Sequence, residues 1–500
     1  MDQKRLLKIQ TERGAKSESF ETAVKTIDTV VNECRKRIEE QSALYRDLNP
    51  IDKKEVIKRI IADYVMTVKP LVKDYIDSEN RPDTLKLVDK LVEAITDYDI
   101  LTQAMMDENI FEIRSNGKEI KVENRGHVED LRDKDGNIVS WDSPEQQEIV
   151  LRKMLGDIRL TPKDALVNGS TIEGYRIAAV HSSATSLDPN DPGAPLYHSF
   201  VLRKFSKVRM GLPDIVAKHT MSDNMARLLA LLPAGGLTFL TVGPTASGKS
   251  TTNNAILKAV PPYLRTILIQ NPSEIDLRMK DASGRVINDV LHLEAKDFEN
   301  PTPNDPTMAN EMNHILRLSP SLVCLGEIRS NEEFQLAMKI LLAGHPINST
   351  YHASSSAGAV SRFLTAYLAA SSEPSELALS TITSHLDLII VQRIMRDGFR
   401  RVIQISEVTG VDPTNPNKPQ INDLYRFEIT EDPELDESGN VKLIKGIHRR
   451  VGKISQGLVD KLQLEGISSS RYDFLLDDTR PDEVETYTGK NIEHYGMELA

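Results

Sequence analysis

Cysteine is almost missing from this chain, with two residues, Cys34 and Cys324, among 500. So few thiols exclude a disulfide-built scaffold and suit a reducing compartment. Each lies in an apolar pattern, one helical and one strand-like, so both read as core thiols rather than metal ligands. An excess of basic charge is also missing: 62 Lys and Arg stand against 74 Asp and Glu, a formal net charge of -12. That balance argues against a constitutive nucleic-acid binder. The N-terminus, MDQKRLLKIQTERGAKSESF, is polar and charged, so no secretory signal is expected. No apolar run reaches 18 residues, so no integral membrane segment is expected either. The greasiest stretch, Leu228 to Val242, is broken by Pro233, Gly235 and Gly236 and reads as a helix end, a turn and a buried strand.

What is present is enough for roughly three domains of about 150 residues each. After a loose tail, apolar residues recur at helical spacing from Phe20 through Val24, Ile27, Val30, Cys34 and Ile38. A second helical run follows Pro50, with Pro70 expected to kink or divide it. A third covers Leu85 to Ile95. These runs predict a helical bundle. From about residue 97 the pattern alternates like strands around an Asn116-Gly117 turn. Two more strands are expected in STIEGYRIAAVHSS and SFVLRKF, giving an α+β domain over 97–206. SKVRMGLPDIVAKHT reads as a linker. Over 220–410 short apolar strands (GLTFLTVG, RTILIQN, SLVCLGE, PINSTYH, LDLIIVQR) alternate with helices, which implies a parallel sheet with helices on both faces. Beyond that, DLYRFEIT and NVKLIKGIHRR suggest a strand pair and QGLVDKLQLEG a short helix.

One stretch carries explicit chemistry. Gly243, Pro244, Thr245, Ala246, Ser247, Gly248, Lys249 and Ser250 satisfy G-x-x-x-x-G-K-[ST], with Thr251 next. The glycines let the backbone curl so that N–H groups face phosphate oxygens, and the following helix adds its N-terminal dipole. Lys249 is expected on the β and γ phosphates, and the Ser250 hydroxyl on Mg²⁺. The motif follows a strand and opens a helix, so a nucleoside triphosphate with Mg²⁺ is the expected ligand. Glu327, just past the apolar strand Leu322 to Leu325, is placed to polarise a water. His345 and His352 flank another short strand. A metal site would need a third ligand, and none has suitable spacing. Taken alone, these histidines leave a structural role and a γ-phosphate sensor both open.

Taken together, GPTASGKST, ILIQNPSEI, LRLSPSLVCLGEIRSNEEFQLAMKILLAGH and STYHASSSAGAVSRF resemble the type II/type IV secretion-system traffic ATPases. DGFRRVIQISEVTG and DLYRFEI…GNVKLIKG resemble its Flp/Tad pilus-assembly branch. The likeness covers about residues 97–470. It implies a homo-hexamer, peripheral on the cytoplasmic face of a membrane, working with an inner-membrane platform protein. It makes Gly243–Ser250 the Walker A loop, Glu327 the catalytic carboxylate, and His345 with His352 a histidine box. Arg176 and Arg203 fall where the N-terminal domain supplies arginines to bound nucleotide. The chain departs from the family at the aspartate box: Gln270 and Asn271 stand where acids are usual, leaving Glu274.

The expected fold is therefore α/β, a RecA-like P-loop NTPase core preceded by an α+β N-terminal domain and a helical bundle. The expected division is 1–96 tail and bundle, 97–206 N-terminal domain, 207–219 linker, 220–410 ATPase domain and 411–500 C-terminal appendix. The expected function is an ATP-hydrolysing motor for pilus assembly or macromolecular secretion, with Lys249, Glu327, Glu274 and His352 doing the chemistry. The alternatives are a nucleotide-gated scaffold with little hydrolysis and a conjugative DNA-transfer ATPase.

Overall fold

The computed structural model describes residues 24–41, 50–72, 75–76, 83–107, 109–124, 127–156, 158–185, 195–204, 210–271, 275–296, 301–369, 371–436, 439 and 441–476. Contacts divide the chain into two compact units, Met1–Val208 and Arg209–Ala500. The N-terminal tail, Glu274 and most of the Pro/Gly/Asp loop near residue 190 lie outside the described residues.

In the first unit, helices α1 (Ile27–Glu40), α2 (Pro50–Val68) and α3 (Thr84–Thr96) pack around Val30, Cys34, Ile38, Ile57, Ile61, Val65, Leu87, Leu91 and Ile95. This is the bundle that the helical spacing predicts. Pro70 does not kink α2, because the helix has already ended at Val68 and Lys69 turns at φ 49°. A proline two residues past a helix end meets no i−4 carbonyl and so costs nothing there. Cys34 is free, and burial pushes its thiol up to about 12.

The same unit holds a six-stranded antiparallel sheet. Its strands are β1 (Ile110–Asn116), β2 (Glu119–Asn124), β3 (His127–Asp130), β4 (Leu166–Ser170), β5 (Arg176–Val180) and β6 (Ser199–Arg203), in the order β3-β2-β1-β6-β5-β4. Helix α4 (Pro144–Leu155) starts at an N-cap, Ser143, with proline in its first turn. From this helix the fully buried Gln147 donates to Ser115 Oγ (2.9 Å), the Gly117 carbonyl (3.1 Å) and the His198 carbonyl (2.9 Å). Its own oxygen accepts from His198 N–H at 2.7 Å. One amide thereby ties a helix, a hairpin turn and a strand entrance together.

The second unit is a nine-stranded sheet formed by β7 (Phe239–Val242), β8 (Thr266–Gln270), β9 (Val290–Glu294), β10 (Leu322–Leu325), β11 (Ile347–Tyr351), β12 (Leu388–Ile394), β13 (Arg400–Val411), β14 (Pro419–Ile429) and β15 (Gly446–Arg450). The order is β9-β8-β10-β11-β7-β12-β13-β14-β15. β9 through β12 run parallel, and β12 onward is antiparallel. Apolar clusters cover both faces, with Leu268, Cys324, Leu388 and Ile390 on one and Leu240, Ile267, Val323 and Ile389 on the other. This is the α/β core expected, and residues outside 220–410 pack into it. The segment read as a linker contains helix α5 (Leu212–Ala217), whose Leu212, Ile215 and Val216 are buried in the first cluster. Residues read as an appendix supply β14, β15 and helix α12 (Gln456–Leu464), whose Leu458, Val459 and Leu462 join that cluster.

The β12–β13 hairpin is anchored by charge. Asp397 (1% exposed) and Arg401 (2% exposed) form a bidentate pair at 2.9 and 2.8 Å. The Ile444 N–H donates to Asp397 at 2.9 Å, and Arg401 donates to the Ile444 carbonyl at 3.1 Å. The rings of Phe399 and Phe427 lie 5.2 Å from the guanidinium carbon. Burial, with Arg401 nearby, pushes His448 down to about 4 and leaves it neutral. Removing one member of such a pair strands a buried charge. Asp397→Ala should therefore lower unfolding free energy by about 3–5 kcal/mol in a urea titration; a loss below about 1 kcal/mol would mean that the pair is not holding the hairpin.

Candidate P-loop site

Parallel register brings the site together. Val242 pairs with Tyr351 on one side and Val391 on the other. The next residues, Gly243 and His352, therefore emerge at one level at the carboxyl ends of two adjacent strands, beside Gln392, which lies within β12 just past its last residue paired to β7. β10 ends at Leu325, level with Ser349, and Glu327 follows two residues on. Ligands of open α/β sheets bind at this end of the strands.

The loop Gly243–Gly248 curls tightly there. A Cβ at Gly243 would lie 2.0 Å from the Gln392 carbonyl oxygen, so only glycine fits. Gly248 (φ 91°) opens helix α7 (Lys249–Leu257). Three donors converge on the Pro244 carbonyl oxygen: Ser247 N–H at 3.4 Å, Ser247 Oγ at 2.9 Å and Lys249 Nζ at 3.0 Å. Lys249 also donates to the Gly243 carbonyl at 3.0 Å. A phosphate oxygen can accept from the same N–H and ammonium set, so the donors fit a polyphosphate. Ser250 and Thr251 occupy the first turn of α7. Below the loop, Asn253 of α7 and Asn348 of β11 exchange amide hydrogen bonds at 2.6 and 2.7 Å while almost fully buried. Sequence reasoning missed this pair, because two asparagines 95 residues apart give no local signal.

His352 joins the loop to the acid. Its Nδ1 lies 3.1 Å from the Gly243 carbonyl and its Nε2 3.3 Å from Glu327 Oε1. The same Nδ1 lies 3.5 Å from Lys249 Nζ, which only donates, whereas the Gly243 carbonyl only accepts, so the ring's protonation selects which of the two contacts forms. The other carboxylate oxygen of Glu327 accepts from Arg329 Nε at 2.7 Å. Gly326, just before it, is closely packed: a Cβ there would sit 2.9 Å from Gln270 Cβ. The structure thus places the P-loop, Lys249, His352 and Glu327 together. It does not bring His345 to them. His345 precedes β11 and His352 follows it, so the two stand roughly 20 Å apart at about 3.3 Å per residue. Within this unit His345 is at the wrong end of the sheet for the nucleotide contact assigned to it. Among the described residues, no three His, Cys, Asp or Glu side chains are grouped to hold a metal ion.

In the first unit, Arg176 and Arg203 are cross-strand partners. Arg203 donates twice to Glu112 Oε2, at 3.2 and 3.1 Å, and Arg114 binds the other oxygen of the same carboxylate.

At the aspartate-box position the Gln270 amide donates to the Ile275 carbonyl and accepts from the Ile275 N–H, both at 2.8 Å, while 2% exposed. The amide closes the following loop onto β8, a task that needs one donor and one acceptor. Two carboxylates lie nearby that the sequence did not single out. Glu294 pairs with Gln270 in the ladder, and burial, then Glu294, pushes Glu311 up to about 7.

Two outcomes follow. Gln270→Glu should cost about 1–3 kcal/mol of stability, since a carboxylate cannot donate to Ile275 O; an unchanged denaturation midpoint would contradict this. For Glu311 the folded pKa lies above the ordinary 4.5 of the unfolded group, so folding is progressively penalised as pH rises from about 4.5 through 7. Glu311→Gln should stabilise the protein at pH 8 by on the order of 1 kcal/mol, discounted for partial exposure, and much less near pH 4.5. Parallel unfolding curves at the two pH values measure the difference.

The family description "Type II/IV secretion system protein" matches residues 98–421. An uncharacterized protein of Methanocaldococcus jannaschii is 27% identical over 248 residues, 49% of this chain and 40% of that protein. The type II secretion system ATPase E of Vibrio cholerae is 38% identical over 165 residues, 32% of this chain and 29% of its own length. The chain therefore spans two fifths or less of these two relatives. The ATPase DotB of Legionella pneumophila aligns with TM-score 0.44 and 20% identity, over 62% of this chain and 81% of that one. With its family match covering well over half of its length, the chain belongs to the type II/IV secretion system protein family.

Proposed function

We propose that this protein hydrolyses ATP to drive pilus assembly or macromolecular secretion, in the manner of the Flp/Tad branch. The observation that carries the reading is the convergence of Ser247 N–H and Lys249 Nζ on one point, with His352 linking the same loop to Glu327. Lys249 holds the β and γ phosphates of the substrate. Glu327 accepts the proton of the attacking water. His352, within reach of both the loop and Glu327, keeps the acid turned toward the γ-phosphate end. Ser250 would hold Mg²⁺, which supplies charge neutralisation on the phosphates. A homo-hexamer at the cytoplasmic face of the inner membrane, engaged with a platform protein, completes the proposal. No described helix is long and apolar enough to cross a membrane.

A second reading has its own support. Gln270 is an amide committed to Ile275, so it brings no negative charge to the site. A nucleotide-gated scaffold that binds ATP and turns over slowly fits that feature.

Phosphate release by the purified full chain separates the two readings. Glu327→Gln should retain ATP binding and lose about 10²-fold or more of the hydrolysis rate. Lys249→Ala should weaken ATP binding itself. Hydrolysis undiminished in Glu327→Gln would remove Glu327 from the chemistry, and a rate near background in the unaltered chain would favour the scaffold.

A further inference from the structure

The P-loop has a second wall, on the side away from Glu327. Leu388 and Ile390 belong to the apolar cluster that packs against α7, and Gln392 continues that face two residues on. In register, Gln392 pairs with Val402 and Ile394 with Arg400, so Arg400 shares it too. The register shifts between Val391 and Gln392, and such bulges re-aim side chains near functional sites. A Cβ at Gly248 would lie 3.0 Å from Gln392 Nε2 and 3.1 Å from Arg400 Cδ. Arg400 reaches the crest of the loop, where its Nε donates to the Ala246 carbonyl at 2.9 Å. Its neighbour Arg401 points the other way, into the buried pair with Asp397. Strand alternation thus sends one arginine to the core and the next to the loop.

That single hydrogen bond fixes more than one atom. A trans peptide is planar, and its C=O and N–H point in opposite directions. With the Ala246 carbonyl held by Arg400, the N–H of Ser247 must face the other way. It faces the inside of the loop, toward the Pro244 carbonyl oxygen at 3.4 Å. Ala246 itself sits at φ 63°, a left-handed conformation that costs a non-glycine residue about 1 kcal/mol. Something must hold it there, and the guanidinium does so from a hairpin that is itself anchored.

We propose that Arg400 is a positioning residue for nucleotide: it pins the Ala246–Ser247 peptide so that the Ser247 N–H faces the phosphates. The inference rests on the ATP reading above and deepens it. It also links the C-terminal strands to the P-loop, because Ile444 holds Asp397, Asp397 holds Arg401, and Arg401 is adjacent to Arg400. The ligand chemistry concerned is the polyphosphate, so ATP, ADP and inorganic pyrophosphate should all sense the residue.

The test uses the full chain, Arg400→Ala and Arg400→Lys. Calorimetric binding of ATP, ADP and pyrophosphate should weaken about tenfold in Arg400→Ala, the scale of one charge-assisted hydrogen bond. Arg400→Lys, which keeps a cationic donor, should recover most of the loss. Without any nucleotide, amide exchange at Ser247 should change in Arg400→Ala and return toward the original in Arg400→Lys. Equal affinities in all three proteins overturn the inference, as does an unchanged Ser247 exchange rate. A binding loss that lysine does not restore, accompanied by a lower melting temperature in both variants, also overturns it, because Arg400 would then be a packing residue. If the unaltered chain binds none of the three ligands, the ATP reading itself falls, while the Ser247 exchange still decides whether Arg400 orients the peptide.

Discussion

The site depends on the register of three parallel strands. Val242, Tyr351 and Val391 lie side by side in the sheet, so their successors Gly243, His352 and Gln392 meet at one height. A slip of one residue in any of them would turn its side chains to the opposite face and move the loop, the histidine or the wall. The register is held from both faces by apolar packing and from within by the buried Asn253–Asn348 exchange. Unpaired buried amides are costly, so this contact tolerates little drift. It also makes the helix after the P-loop and the strand before His352 behave as one piece.

Around that frame, buried polar groups hold the pieces that a purely apolar core would leave free to slide. Gln270 clamps the loop after β8, Asp397 with Arg401 clamps the β12–β13 hairpin, and in the first unit Gln147 clamps helix α4 to its sheet. Each uses a group with both donor and acceptor capacity, or an ion pair, against backbone amides. Such contacts specify geometry even where their net contribution to stability is modest. Through one of them, residues as late as Ile444 reach the crest of the P-loop.

Much of this was legible beforehand. The glycine spacing announced the loop, since only a phosphate cradle needs Gly, Gly-Lys and a hydroxyl at those intervals. Apolar runs gave the parallel strands, and helical spacing gave the N-terminal bundle. β9 escaped notice because VLHLE is an edge strand of mixed polarity, without the apolar run that marked its neighbours. The bond from Gln270 to Ile275 left no signal for a different reason. A residue's place in a motif says which strand end it occupies, not which backbone group its side chain will find. Likewise the resemblance that paired His345 with His352 does not show that the full length of β11 lies between them.

The sequence by itself determined the class of fold, the phosphate loop, the acid at the end of β10 and the kinship with secretion ATPases. These rest on local patterns: periodicity, glycine's access to positive φ, and charged residues following apolar strands. Only the tertiary structure decided that His352 bridges Gly243 and Glu327, that Asn253 pairs with Asn348, and that Arg400 holds the Ala246 carbonyl. Those contacts join residues from 25 to 154 positions apart. They exist because parallel strands, wound through crossing helices, bring their ends to one level, and no window along the chain contains that information.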